Sequence, residues 1–238
     1  MDVGKSIGYV FEDKKWTDKL LVGMLVSIVP IVNFALFGWV IDIMRNVSQR
    51  QSEPLPAWEN FGDKFVKGLM LFVVGLIYML PALVIGCVAI GLPVLNGGLR
   101  DVGERELAGI FFGTFALSSC TIFIYGLLIS FLMPAVYLNF ARKGTFAACF
   151  EFGEIWRIMS KNLGDYIVAW LIIIVVGIAA SFLIGIVGGV LAFIPCCGWI
   201  LSWVLLGVAG VYIMAVFGHL FGQIGEEPPG QELTSTGF

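Results

Sequence analysis

The sequence predicts an all-α fold, a polytopic bundle of transmembrane helices with four long spans, an N-terminal helical hairpin and amphipathic helices at the membrane interface. Residues 20–41, 68–99, 107–141 and 166–225 contain no Asp, Glu, Lys or Arg and make up well over half of the 238 residues. One helix needs about 20 consecutive apolar residues to cross a bilayer. A mean hydropathy of +0.95 and 59% hydrophobic residues also exceed what a soluble domain needs for its core.

The first apolar segment is predicted to be a hairpin. Its flanks, residues 1–19 and 42–67, each carry four Lys and Arg residues. Basic residues accumulate on the cytoplasmic side of short loops, so a single crossing would place one of two equally basic flanks on the wrong side. A turn at residues 30–33 between a helix over 11–29 and a second over 34–47 returns both flanks to the cytoplasm.

The second and third apolar segments are longer than a bilayer requires. As a straight helix, residues 107–141 would measure about 52 Å, against a hydrocarbon core of about 30 Å. We therefore expect this helix to be strongly tilted or broken. Pro81 and Pro134 remove backbone donors, and hydroxyl side chains near residue 120 can bond back to their own helix and bend it.

The last apolar segment is long enough for two helices, predicted at residues 166–194 and 199–224 with a turn at 195–198, where Pro195 and Gly198 lie. Residues 1–225 form one transmembrane domain, and 226–238 have the composition of a polar tail. The segment 97–106 carries only two basic residues and the 195–198 turn none. The rule for basic residues thus predicts a multi-pass protein of the cytoplasmic membrane with both termini in the cytoplasm.

Small residues recur at four-residue spacing along one face of the predicted helix 166–194. Such a ladder lets another helix approach closely, because no side-chain bulk separates the two backbones. The partner helix can belong to the same bundle, to a second copy or to a different membrane protein. The ladder consists of Gly177, Ser181, Gly185 and Gly189.

Three segments that mix aromatic residues with both charge signs precede apolar segments, at residues 11–16, 58–65 and 150–157. Aromatic rings favour the head-group zone, so these segments are predicted to be cytoplasmic interface helices. Trp16, Trp58 and Trp156 are the expected interface anchors. The functional alternative is a surface that binds lipid head groups or a partner.

Several short motifs resemble a known family. They are Phe11-Glu12-Asp13 with Lys15-Trp16, Ile28-Val29-Pro30, Pro56-Ala57-Trp58 with Gly62-Asp63, and Phe152-Gly153-Glu154-Ile155-Trp156 with Lys161-Asn162. From about residue 11 to 223 the chain resembles the uncharacterised prokaryotic membrane-protein family known as domain of unknown function 4013. The resemblance implies a bacterial or archaeal cytoplasmic membrane. That family has no assigned activity, so it supplies no site residues.

The residues favour no enzyme chemistry. The single histidine, His219, has no carboxylate in its own helix to act as its partner, and the charge-free segments exclude a pair of intramembrane aspartates. We therefore expect no catalytic residues, no cofactor and no metal, since Cys196 and Cys197 lie about six helical turns from His219. Polar residues inside apolar segments can still line a path through the membrane. The candidates are Ser118, Ser119, Thr121 and His219.

These observations lead to a hypothesis of a non-enzymatic scaffold or subunit of a larger membrane complex. One alternative is a small permease or channel along the kinked helices near Pro81 and the Ser118 cluster, because broken helices offer free carbonyls to a cavity. Another is a lipid-binding or membrane-shaping protein with grooves beside its tryptophans. The expected partners are the lipid bilayer and other membrane subunits or further copies. A net charge of −3 with scattered basic residues does not favour nucleic acid.

Overall fold

The computed structural model describes residues 1–95, 103–191 and 197–225. Every regular element in this part of the chain is a helix, which confirms the all-α prediction. The elements are α1 (Val3–Glu12), α2 (Trp16–Ile28), α3 (Phe34–Ser48), α4 (Phe61–Leu95), α5 (Glu104–Lys143), a 3-10 helix (Phe146–Phe150), α6 (Phe152–Lys161), α7 (Leu163–Leu191) and α8 (Cys197–Ile224).

Four helices within the described ranges are long and apolar enough to cross a membrane, as predicted. The candidate spans are Phe61–Val88, Phe115–Lys143, Leu163–Leu191 and Ile200–Ile224. The predicted turn at 195–198 and the predicted polar tail fall mainly on residues 192–196 and 226–238, which lie outside the described residues, as does most of the loop at 97–106.

The predicted N-terminal hairpin is present. α2 and α3 are separated by a tight turn in which the Asn33 amide donates to the Val29 carbonyl (2.9 Å). The predicted single helix over 11–29 is wrong, because α1 ends at Glu12 and α2 begins at Trp16. The cause is Asp13, whose carboxylate accepts the Lys15 amide (2.7 Å) and so offers the backbone an alternative to helical bonding.

α4 and α5 are each one continuous helix, so of the two expectations, a strong tilt or a break, the break does not occur. α4 runs through Pro81, and α5 contains Pro134 within its 40 residues. At 1.5 Å per residue α5 is about 60 Å long, roughly twice the hydrocarbon thickness. Beside Pro134, the Ala135 amide donates to the phenol oxygen of Tyr166 on α7 (3.2 Å). Proline disturbs the helical hydrogen bonds around it, and this bond between two helices gives the neighbouring backbone amide a partner.

The chain divides into two compact units. Unit 1 comprises Met1–Leu71 and Ala135–Phe238, and unit 2 comprises Phe72–Pro134. Within unit 2, the Tyr125 hydroxyl on α5 donates to the Tyr78 carbonyl on α4 (2.5 Å). The prediction of a single domain over 1–225 stays a prediction.

Unit 1 is organised around α8, against which α1, α2, α3 and α7 pack. Glycines of α8 make this packing close. A Cβ atom added to Gly218 would lie 3.1 Å from the Ile43 side chain of α3, and one added to Gly222 would lie 2.8 Å from Val47. Bulky side chains that are fully buried, among them Trp39 and Phe221, fill the space between these helices.

Candidate functional site

A polar cluster surrounds His219 near the C-terminal end of α8. His219 is only 3% exposed. Its Nδ1 lies 2.9 Å from the Ser6 hydroxyl and 3.1 Å from the Gln223 side-chain amide nitrogen. The Tyr9 ring packs against the imidazole with 4.2 Å between ring centroids. The imidazole is therefore fixed on one nitrogen and one face, and α1 supplies two of the three residues that fix it.

α1 lies antiparallel to the last part of α8. The Asp2 amide donates to the Gln223 side-chain oxygen (2.7 Å), and the Tyr9 hydroxyl donates to the Ala215 carbonyl (3.0 Å). Burial raises the pKa of Tyr9 well above its ordinary value, so the phenol keeps the proton that this bond requires. The Asp2 carboxylate accepts the Lys5 amide (2.9 Å) and caps α1. The start of α1 and the end of α8 thus lie at the same end of unit 1.

A cavity of about 550 Å³ opens beside His219. Its size falls in the range of small-molecule sites, roughly 300–1,000 Å³. Most of its lining is polar or charged, unlike the apolar walls typical of such sites. The lining residues are Met1, Asp2, Lys5, Tyr9, Glu12, Val47, Arg50, Gln51, Ser52, Pro54, His219 and Gln223. Residues from α1, the end of α3, the following loop and α8 therefore form one site.

Two further cavities in unit 1 lie between its helices. One of about 240 Å³ is lined by apolar side chains and Tyr137, and one of about 250 Å³ lies beside Ser27, Asn33 and Trp203. Neither is lined by an ionisable acid, a lysine, an arginine or a histidine. They offer space for apolar groups but no set of residues for chemistry.

Charged residues connect α3 with the start of α4. Asp42 pairs with Lys67 (2.8 Å) and with Lys64 (3.4 Å), and Lys67 also pairs with Asp63 (2.6 Å). Lys64 is 5% exposed, and its ammonium also donates to the Glu59 carbonyl (2.7 Å). This network was not predicted from the sequence. Its signal was that Asp42 is the first charge after one apolar segment and Lys67 the last before the next.

The structure does not test the predicted polar path, because its residues fall in two separate units. His219 belongs to unit 1, whereas Ser118, Ser119 and Thr121 belong to unit 2. The Thr121 hydroxyl donates to the Leu117 carbonyl of its own helix (2.9 Å), as expected of a hydroxyl in an apolar helix. A path that joins these residues stays a prediction.

The three predicted interface segments differ in structure. The segment 150–157 contributes to α6, which buries Ile155 and Ile158 and leaves Trp156 68% exposed, so its amphipathic character is confirmed. The segment 11–16 is instead the junction of α1 and α2, where Trp16 packs edge-on against Phe11 with centroids 5.1 Å apart.

The segment 58–65 does not form a separate helix, because α4 begins only at Phe61. Trp58 lies in the preceding loop, half-buried, and stacks on Trp39 with an interplanar angle of 5°. Its indole nitrogen donates to the Lys19 carbonyl of α2 (2.8 Å). Trp58 therefore holds this loop against α2 and α3, a role that its place in the sequence did not reveal.

The small-residue ladder on α7 is open. Gly177 is half-buried, and Ser181, Gly185 and Gly189 are exposed. A Cβ atom added to any of the three glycines would meet no atom within 4 Å. The packing of another helix on this face stays a prediction. Within the described chain, no helix lies close to the three glycines.

A model of the family described as "Protein of unknown function (DUF4013)" matches residues 21–193, well over half of the chain. The chain belongs to the DUF4013 family. The resemblance seen in its motifs is thereby confirmed. The DUF4013 match includes the α7 ladder but neither α1 nor the described part of α8, so Ser6 and His219 lie outside it. No curated protein and no solved structure matches the chain significantly.

Proposed function

We propose that this protein is a non-enzymatic component of a membrane assembly, a scaffold or subunit that binds another transmembrane helix through the ladder face of α7. The observation that carries the proposal is the open ladder. Three glycines and a serine present a smooth strip on an apolar helix, and no atom of the described chain packs closely against its glycines. In lipid, such strips are typical of helix–helix interfaces.

The rest of the chain supports this interpretation because it uses small residues for close helix contacts elsewhere. An added Cβ would lie 1.9 Å from the Lys64 carbonyl oxygen at Gly38 and 2.8 Å from the Val47 side chain at Gly222. In both places glycine permits a neighbouring helix to approach. The same device on α7 has no second helix close to its glycines within the described chain, so we infer that a second chain supplies it.

The absence of catalysis is part of the proposal and rests on the sequence. A hydrolytic mechanism in a membrane requires a nucleophile with a base or a pair of buried acids. The chain has one histidine, and its four long apolar segments contain no acid. The supported role is therefore association, and the partner is a membrane protein or a second copy.

The native mass of the protein tests the proposal. The chain is extracted with its surrounding lipid in a polymer, and the particle's mass and composition are measured. We expect more than one 26.0 kDa chain, or a foreign subunit in fixed proportion. Gly185→Ile and Gly189→Ile are expected to reduce the association constant about tenfold or more, because a loss of about 1.4 kcal/mol of binding free energy has that effect.

Ala179→Ile is the matched control. Ala179 is also exposed on α7, and at about 100° per residue it lies roughly 140° around the helix from the middle of the ladder. Isoleucine favours a helix more than glycine does, so lost association in the ladder variants cannot reflect a weakened α7. A wild-type particle that contains a single copy and no foreign subunit contradicts the proposal, as does equal loss in the control.

A further inference from the structure

A groove of about 250 Å³ lies between the tip of the α2–α3 hairpin and α8. Its wall on α8 consists of residues that follow one another turn by turn, from Trp203 through Gly207 and Gly210 to Met214. On its rim, Trp203 and Leu206 are 67% and 53% exposed, so the groove is open at the surface of unit 1. At 1.5 Å per residue, the groove follows α8 for about 16 Å.

The α8 wall of this groove lies inside a candidate membrane span. The span Ile200–Ile224 contains every α8 residue that lines the groove. Trp203 lies three residues after the start of this span, about 4.5 Å along the helix axis. Tryptophan favours the boundary between the hydrocarbon and the head groups. The groove therefore runs from this boundary into the hydrocarbon, where lipid rather than water surrounds the protein.

Two hydrogen-bond donors at the groove have no partner within the described chain. The Asn33 side chain stands at the N-cap of α3, where asparagine usually accepts a backbone amide, yet it forms no capping bond. The Trp203 indole nitrogen has no acceptor among the described residues either. No buried side-chain nitrogen or oxygen in this part of the chain lacks a partner, so both groups lie at the surface. An unpaired donor surrounded by hydrocarbon is strongly unfavourable, because no water replaces the missing partner.

The size of the groove favours a flexible chain over a helix as its occupant. One turn of an α-helix about 10 Å across and 5.4 Å high occupies about 400 Å³, more than the whole groove. Apart from Asn33 and Trp203, the lining is apolar except for Ser27, whose hydroxyl donates to the Met24 carbonyl of its own helix (2.6 Å). A hydrocarbon chain packs against such walls without leaving a polar group unpaired.

We propose that this groove binds one acyl chain of an ester-linked phospholipid. The chain lies along Gly207 and Gly210, and the ester carbonyl at its end accepts hydrogen bonds from the Asn33 amide and the Trp203 indole. A carbonyl oxygen has two lone pairs, so one oxygen satisfies both donors. The site lies on the hairpin and α8, whereas the association proposed above uses α7, so each proposal stands or fails without the other.

A competition between two lipids tests the proposal. Delipidated protein in detergent receives equal amounts of ester-linked phosphatidylglycerol and its ether-linked analogue, which has the same head group and chain length but no carbonyl. Native mass spectrometry identifies the lipid that each chain holds most tightly. We expect the ester-linked lipid to be retained about tenfold better or more, which corresponds to about 1.4 kcal/mol. Equal retention of the two lipids overturns the proposal.

Asn33→Leu and Trp203→Phe each remove one donor. Each should reduce retention of the ester-linked lipid about fivefold, because one neutral hydrogen bond contributes about that factor. Neither should lower the thermal stability of the delipidated protein, since neither donor has a partner within the described chain. Trp156→Phe is the matched control, because this indole is 68% exposed and does not line the groove. Lost stability with unchanged lipid retention contradicts the proposal, as does equal loss of lipid in the control.

Gly210→Leu tests the path of the acyl chain. A Cβ atom added to Gly210 meets no atom within 4 Å, so a larger side chain can fill the groove without a clash. We expect lipid retention to fall about tenfold or more. Gly126→Leu is the control, because its added Cβ also meets no atom within 4 Å and the residue lies on α5, outside the groove. Wild-type retention in Gly210→Leu, or the same loss in Gly126→Leu, would show that the chain does not lie in this groove.

Discussion

The Asp13 carboxylate stabilises the junction of α1 and α2 in its charged form, so its contribution to stability depends on pH. Its carboxylate accepts the Lys15 amide (2.7 Å) and the Lys19 ammonium (2.5 Å), and the same ammonium donates to the Leu55 carbonyl (2.7 Å). Burial opposes ionisation of Asp13, but the bonds from Lys19 and Lys15 outweigh it, and the pKa of Asp13 lies below its ordinary value. The charged carboxylate therefore connects the α1–α2 junction to the loop after α3.

We expect Asp13→Asn to lower the thermal stability of the protein at pH 7. A lowered pKa in the folded state means that the stabilisation is complete above the unfolded pKa, about 3.9, and is lost as pH falls through the folded value. The difference between wild type and Asp13→Asn should thus shrink as pH falls below about 4. Unfolding measured in lipid nanodiscs at several pH values tests this, with Asp18→Asn as the exposed control. A difference that grows on acidification contradicts the assignment.

Single residues show which contacts a sequence can reveal. The predicted helix over 199–224 already places His219 near the C-terminal end of that helix, as the structure does. Its partner Ser6 lies 213 residues away in sequence, and the pairing depends on how α1 packs on α8. Nothing local to either residue encodes that packing. Trp58 is a similar case, since an aromatic residue before an apolar segment favours the membrane interface, yet its indole bonds to the Lys19 carbonyl.

At the scale of elements, α3 and α4 cross in very close contact within the described part of unit 1. A Cβ atom added to Gly68 would lie 1.6 Å from the Phe34 carbonyl oxygen. The obstructing atom is backbone, so no side-chain rotation relieves the clash. We expect Gly68→Ala to destabilise the protein by about 3 kcal/mol or more, at the upper end for overpacked contacts, because α3 and α4 must separate.

Gly75→Ala in the same helix is the control, because its added Cβ meets no atom within 4 Å. Alanine favours a helix over glycine by about 0.5–1 kcal/mol, so this variant should be neutral or more stable. Chemical unfolding of both variants in mixed micelles measures the difference. Similar unfolding free energies for Gly68→Ala and wild type would show that the two helices do not approach so closely.

The helices themselves were largely predictable from the sequence, whereas their crossings were not. Hydropathy predicted both ends of α3 to within one residue of those observed. The turn around Asn33 marks the start of this helix, and the charged residues that follow the apolar segment mark its end. The split at Asp13 was missed because a carboxylate that bonds to a nearby amide leaves no trace in hydropathy. The α7 ladder was visible because its residues share one helix, but Gly38 and Gly68 lie on different helices and form no spacing pattern.

At the scale of the molecule, unit 1 has a polar end and an apolar hairpin tip. The polar end holds the start of α1 and the end of α8, which contact each other through Asp2 and Gln223. At the tip, Ile28 and Ile31 are 55% and 67% exposed. α2 has 13 residues, so it extends about 20 Å, less than the roughly 30 Å of a hydrocarbon core. We infer that the hairpin enters the membrane from the cytoplasm and returns without crossing it.

Cysteine labelling in intact cells tests this topology. A thiol reagent that cannot cross the membrane is added before or after permeabilisation, and modification is read for each peptide by mass spectrometry. Gly103→Cys, in the predicted outer loop, should be labelled in intact cells, and Gln51→Cys, in the exposed loop after α3, only after permeabilisation. Ile31→Cys should be protected in both conditions, because the tip ends inside the hydrocarbon. Labelling of Ile31→Cys from outside would mean that the hairpin spans the membrane, and labelling of Gln51→Cys in intact cells would reverse the orientation.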